Sequence, residues 1–92
     1  MTVFAKDPQA ILDYSIDWDD AYLQLGETIS TSVWSVLPAG TLTIDSTAST
    51  ASVATATVSA GTTGHIYRLT NRITTSNSRT EERSITIRVQ ER

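Results

Sequence analysis

The stretch His65-Ile-Tyr-Arg-Leu-Thr-Asn-Arg-Ile-Thr-Thr-Ser-Asn-Ser-Arg-Thr-Glu-Glu-Arg-Ser-Ile-Thr-Ile-Arg-Val89 alternates twice around a short polar turn. In the first run Tyr67, Leu69, Asn71 and Ile73 fall on one side, and Ile66, Arg68, Thr70 and Arg72 on the other. In the second run Ile85, Ile87 and Val89 oppose Ser84, Thr86 and Arg88. A period of two is the signature of a strand, because successive side chains leave opposite faces of a pleated backbone. The stretch therefore reads as a hairpin with one dry face and one wet face.

Charge suggests the register of this hairpin. Both inward sets are odd-numbered, so paired positions sum to an even number. A three-residue loop, Ser76-Asn-Ser78, sets Ile73 opposite Glu81, Leu69 opposite Ile85 and Arg72 opposite Glu82. A five-residue loop sets Arg68 opposite Arg88 instead. Facing charges change pairing by roughly 0.2–1 kcal/mol, in favour of opposite signs. The shorter loop is expected, with Asn77 or Ser78 in the positive-φ position.

Working outward, Leu12, Tyr14, Ile16 and Trp18 alternate with Asp13, Ser15 and Asp17, a strand pattern. A loop or short helical turn follows through Leu25 and is closed by Gly26. The run from Thr28 to Val36 changes parity between Val33 and Trp34, which calls for a bulge or a strand break near residues 32–34. Thr41–Ile44 reads as a short strand, 45–50 as a polar loop, and 51–59 as a small-residue strand suited to an edge or to a place where another surface comes close. Gly61-Thr-Thr-Gly64 is a turn. Residues 1–10 read as an irregular N-terminal arm, with Pro8 discouraging helix at Asp7, and residues 11–92 as one domain. About seven short strands with closely spaced turns predict an immunoglobulin-like antiparallel β-sandwich ending in a C-terminal hairpin. Two one-sided sheets must stack to bury their apolar faces.

Composition narrows the function. The 92 residues contain no cysteine, so neither a disulfide nor thiol chemistry is available. No long apolar run marks a membrane span, and the first residues lack the pattern of a signal peptide. Residues 1–45 hold seven acids and one base, and residues 46–92 hold six arginines and three acids. Such a division favours oriented contact with neighbours, set against the plainer role of solvating outer strand faces. The arginines are dispersed and not interleaved with aromatics, so nucleic acid is not an expected partner.

Each chemical motif meets a simpler explanation. Asp13, Asp17, Asp19 and Asp20 form the one metal candidate, but Ala21 and Tyr22 stand where a calcium loop needs an acidic residue and a glycine. His65 is the only histidine, and no spacing pairs it with a nucleophile. Gly61-Thr-Thr-Gly64 lacks the lysine and helix of a phosphate loop. Glu81 and Glu82 border a turn and read as surface. Trp18 and Trp34 read as core. Tyr67 is placed for a tyrosine corner, and Asn71, on the dry side, needs its amide satisfied by Arg83 or by backbone. No catalytic, cofactor or metal site is expected.

Together Lys6-Asp-Pro8, Leu12-Asp-Tyr14, Ile16-Asp-Trp18, Thr28-Ile29, Trp34, Tyr67, Asn71-Arg-Ile-Thr-Thr75, Arg79-Thr80 and Arg83-Ser-Ile-Thr-Ile-Arg-Val89 resemble a family of small tailed-phage virion proteins, the fiber-tail adaptors. The family often carries glycine in the final turn, where this chain reads Ser76-Asn-Ser78. The resemblance implies a virion structural protein made in the host cytoplasm. It would bind other virion proteins of the tail, fibre or head–tail connector in a symmetric multi-copy array, through sheet edges and charged surfaces. Val3, Phe4 and Pro8 are the expected anchors of an arm that orders on a neighbour. Arg68, Arg72 and Arg88 form the stripe expected to meet an acidic partner. Two alternatives are a capsid decoration protein and a carbohydrate-binding module, the latter needing an exposed platform from Trp18 and Tyr22.

Overall fold

A computed structural model describes residues 3–19, 22–38 and 40–90 of the chain. Alternation yields seven strands, Val3–Lys6 (β1), Leu12–Asp17 (β2), Ile29–Leu37 (β3), Leu42–Ser49 (β4), Val53–Ala60 (β5), Ile66–Thr75 (β6) and Thr80–Val89 (β7). They form a four-stranded sheet in the order β1-β7-β6-β3 and a three-stranded sheet in the order β2-β5-β4. Lettered A to G along the chain, this is the GFC and BED pairing of an immunoglobulin-like sandwich, with the first strand beside the last. The sequence predicts purely antiparallel sheets. The structure departs at one place, where β1 runs parallel to β7, from Val3 opposite Thr86 to Lys6 opposite Val89.

That pairing corrects the reading of residues 1–10 as an irregular arm. Val3, Phe4 and Ala5 carry too few residues to show a period, yet β7 offers them an edge. Lys6 then fastens the strand. Its side chain is fully buried, and Nζ donates to Ala60 O at 2.6 Å and Asp7 O at 2.9 Å. Burial pulls its pKa below the usual lysine range, against the opposing pull of Asp7 and Asp45. Pro8 lies in a turn closed by Ala10 N donating to Asp7 O at 3.0 Å.

The hairpin has the three-residue loop that charge predicts. Ile73 faces Glu81, Leu69 faces Ile85 and Arg72 faces Glu82. Ser78 takes the left-handed conformation, φ 61°. Three other expectations shift. The bulge of β3 lies between Ile29 and Thr31, slightly earlier than predicted, and it turns Trp34 inward and Val33 outward. β4 continues through Ser49 because a bulge at Asp45 absorbs the parity change. β5 is the centre of its sheet and not an edge. Its Ala54 and Ala56 are fully buried, and their small size leaves core volume to Tyr14, Trp18 and Trp34.

One glycine is required by contact. Gly61 has φ 101°, and a Cβ there would stand 2.7 Å from Cγ2 of buried Val89. Beside it the Tyr67 hydroxyl accepts from Thr62 N at 2.9 Å and bonds the Thr41 hydroxyl. This is the tyrosine-corner geometry that the sequence suggests.

The core is crossed by one polar relay. Trp18 Nε1 donates to Asn71 Oδ1 at 2.9 Å. Asn71 Nδ2 donates to Ser32 Oγ at 2.9 Å and Val33 O at 3.2 Å. The amide is thus satisfied by an indole, a hydroxyl and backbone. Arg83 instead lies 5.0 Å over the Trp18 ring. Replacing Asn71 by Ala strands the indole N–H inside the core. Such an orphan plus the void costs about 2–4 kcal/mol, which is roughly 10–20 °C in melting temperature for a domain of this size. Thermal denaturation of Asn71→Ala followed by circular dichroism checks this, and a fall of only a degree or two refutes it.

Candidate protein-docking face

Strand parity sorts the charges onto two opposite surfaces. On the three-stranded sheet the outward residues include Asp13, Asp17 and Asp45, set among hydroxyls. Thr57 donates to Asp13 at 2.6 Å, Ser59 donates to Asp45 at 3.0 Å, and Ser15 bonds Thr55 at 2.8 Å. On the four-stranded sheet the outward residues include Arg68, Arg72 and Arg88. The uneven charge of the two chain halves thus becomes one acidic and one basic face. The chain's acidic first half builds β2 and opens β4, and its basic second half builds β6 and β7.

The basic face also carries apolar side chains. Val3, Val33, Leu37 and Ile66 are each more than half exposed and all point outward there. Register places them in rows across the strands. Leu37, Arg68, Thr86 and Val3 form one row, and Ile66, Arg88 and Ala5 the next. Same-face residues follow one another about 6.6 Å along a strand and neighbouring strands lie about 4.8 Å apart, so the two rows make one continuous patch. Neither Arg68 nor Arg88 has an ion pair among the described residues. Arg72, two rows away beside Val33, faces Glu82 at 4.0 Å with both side chains exposed. An exposed pair of that length holds its partners weakly. Exposed aliphatics ringed by arginine are a composition typical of protein interfaces.

Of the six residues expected at an interface, the fold gathers Val3, Arg68, Arg72 and Arg88 on this face. It separates the other two. Phe4 faces inward opposite Ile87, its ring 5.3 Å from Tyr14, and Pro8 sits in the turn after β1. Sequence reasoning grouped Val33 with Ile29 on one face, which the β3 bulge reverses, and ended the strand at Val36, one residue short of Leu37. Ile66 was visible as an apolar residue among wet-side positions.

The remaining candidates resolve locally. Asp17 Oδ1 accepts from Asp19 N at 3.1 Å, and no three acidic or imidazole side chains converge among the described residues. Asp20 lies outside them. His65 is exposed, edge-on to Tyr67. Trp18 is fully buried and supplies no exposed aromatic platform, which corrects the carbohydrate-binding alternative.

Residues 6–88 match the family described as podophage GP4 fiber-tail adaptor protein gp77. The chain belongs to this family. No curated protein matches it. A fiber-tail adaptor is a structural component of the virion, and its role implies contact with other tail or fibre proteins. The match starts at Lys6, the buried anchor of β1, and takes in β2 to β6 and nearly all of β7. It therefore spans β3, β6 and nearly all of β7, three of the four strands on which the basic face of this adaptor is displayed.

The strongest electrostatic pairing of the adaptor lies at the far end of the hairpin from Ile66. Glu27, buried in the loop before β3, receives Arg79 Nε at 2.9 Å and Nη2 at 2.5 Å. Thr75 and the Gln24 N–H also donate to it, and Arg79 stacks 4.3 Å from the Tyr22 ring centroid. Every group here is used internally, so the cluster braces the loop and hairpin. The arginine hydrogen bonds lower the Glu27 carboxyl to about 2, against the opposing effect of burial. A depressed folded-state value means stability that is complete above the unfolded value and drains as pH falls from about 4.5 toward 2. Chemical denaturation across that range should show wild type and Glu27→Gln well separated near pH 7 and converging below about pH 4.5. A separation that stays constant to pH 2 contradicts the assignment.

Proposed function

We propose that this adaptor joins tail and fibre proteins without catalysis, by pressing the outer face of β1-β7-β6-β3 against an acidic surface that carries apolar side chains. The observation that carries the reading is the coincidence of Val3, Leu37 and Ile66 with Arg68 and Arg88 in two adjacent rows. The rigid sheet supports them, so little conformational freedom is lost on docking. The aliphatic side chains contribute area, and the two arginines select an acidic partner and orient it. The opposite, acidic face repels the same partner, so the domain docks one way round. Several copies in symmetric array present this face repeatedly, which raises the strength of attachment beyond one contact.

Charge reversal tests the proposal. Arg68→Glu with Arg88→Glu leaves the core untouched, since both side chains are exposed. The double variant should melt within a few degrees of wild type and enter particles at least roughly tenfold less well, as expected when central interface charges are inverted. Quantitative mass spectrometry of particles assembled with either form measures the ratio. Normal incorporation of a folded double variant rejects this face as the docking surface.

A further inference from the structure

The open edge of β7 forms a second surface. β1 covers β7 only from Thr86 to Val89, so Thr80–Ile85 lack a strand on that side among the described residues. The direction of the backbone groups follows from register. Val89 N donates to His65 O at 3.0 Å, and Thr75 N donates to Arg79 O at 2.8 Å. In an antiparallel pair alternate residues exchange their bonds with the partner strand. Odd-numbered residues of β7 therefore belong to β6, and even-numbered residues point their N–H and C=O the other way. Two contacts agree. Gln90 N donates to Lys6 O at 2.9 Å, toward β1. Glu82 N donates to the carboxylate of Glu81 at 3.0 Å, which places it outside the ladder. Ser84, two residues on, aims the same way.

Beside this edge the sandwich gapes. A cleft of about 260 Å³ lies between β7 and β2, walled by Phe4, Ile16 and Ile85, with Ser84 and Asp17 also lining it. The cleft combines outward backbone groups with an apolar slot, the two requirements for adding an extended peptide as a strand. Charge narrows the occupant. Asp17 lines the opening and Glu81 lies on the same side of β7 as Ile85, both exposed, while Arg83, which also lines the cleft, has its guanidinium held over Trp18. The opening favours a segment with a basic residue next to its aliphatic anchor. The Glu81 carboxylate caps one outward donor and adds negative charge to the edge, a device that discourages chance pairing of strands.

We propose that Glu82 and Ser84 of β7 accept an extended, basic-flanked segment of a partner tail or fibre chain, which continues the line of β1 and seats one aliphatic side chain in the cleft. The class of partner rests on the adaptor reading. The edge and cleft are distinct from the outer face.

Proline tests the main-chain contact. The outward N–H of Ser84 takes no part in the β6 ladder, so Ser84→Pro removes the docking donor from an edge position where proline is tolerated. Ser84→Ala keeps the N–H and serves as control. Incorporation into particles should fall at least tenfold for Ser84→Pro and stay unchanged for Ser84→Ala. Normal incorporation of Ser84→Pro overturns the proposal. Should Ser84→Pro fail to fold, hydrogen exchange of the wild-type protein decides. Amides in residues 80–85 should exchange at least tenfold more slowly in particles than in the free chain, and equal rates overturn the proposal. Slowing that appears in the purified chain alone as concentration rises makes the occupant a second copy and also overturns it. If Ser84→Pro assembles while the Arg68 and Arg88 double variant does not, the outer-face reading stands and the edge assignment falls.

Discussion

The hydrogen bond from Trp18 Nε1 to Asn71 Oδ1 is the constraint that holds the sandwich to one arrangement. A core of aliphatic and aromatic groups alone tolerates small slides between sheets, because burial is not directional. A buried amide does not, since any slip leaves donors and acceptors without partners in a medium where that is costly. Asn71 faces Trp34 across β3 and takes Ser32 and Val33 as its other partners. One side chain thereby references the three-stranded sheet to both β6 and β3. The outward position of Val33, and with it part of the basic face, depends on that reference.

Much of this was legible in the chain. The hairpin register followed from parity and charge together, because an even-sum rule left few loops and only one set Arg72 opposite Glu82. The inward run from Tyr67 to Ile73 was legible because the strand is buried on one face throughout. β1 was not. Four residues carry no measurable period, and the edge that receives them is distant in sequence. The bulges were only half legible, since a parity change shows that a residue is extra but not which one. That is why Val33 stayed out of the predicted surface, while Leu37 lay just beyond the strand end expected at Val36. β5 was half legible for a different reason. Small residues suit an edge, but they equally suit the middle of a sheet whose neighbours in the core are Trp and Tyr.

The outer face of β1-β7-β6-β3 shows how little of such a surface resides in any one segment. Val3 comes from the first strand, Leu37 from the third, Ile66 and Arg68 from the sixth and Arg88 from the last. Each alone is an unremarkable exposed residue. Only the register across four strands puts aliphatic and guanidinium groups side by side. The acidic face is likewise a product of pairing, with hydroxyl groups from β5 holding carboxylates from β2 and β4. Its carboxylates are held in place by hydroxyl hydrogen bonds, and neither they nor Arg68 and Arg88 have an ion pair among the described residues.

The parallel pairing of β1 with β7 also sets how the domain bears load. Val3 begins one strand, Gln90 follows the other, and the two strands lie side by side pointing the same way. Tension applied at these two ends pulls the strands in opposite directions along their length. The interstrand bonds are then strained in shear and share the force, where an antiparallel hairpin pulled from its open end would give way one bond at a time. The buried Lys6 ammonium, clasping Ala60 O on the other sheet, extends that resistance across the sandwich. A short strand that looked like an appendage is thus a mechanical seam.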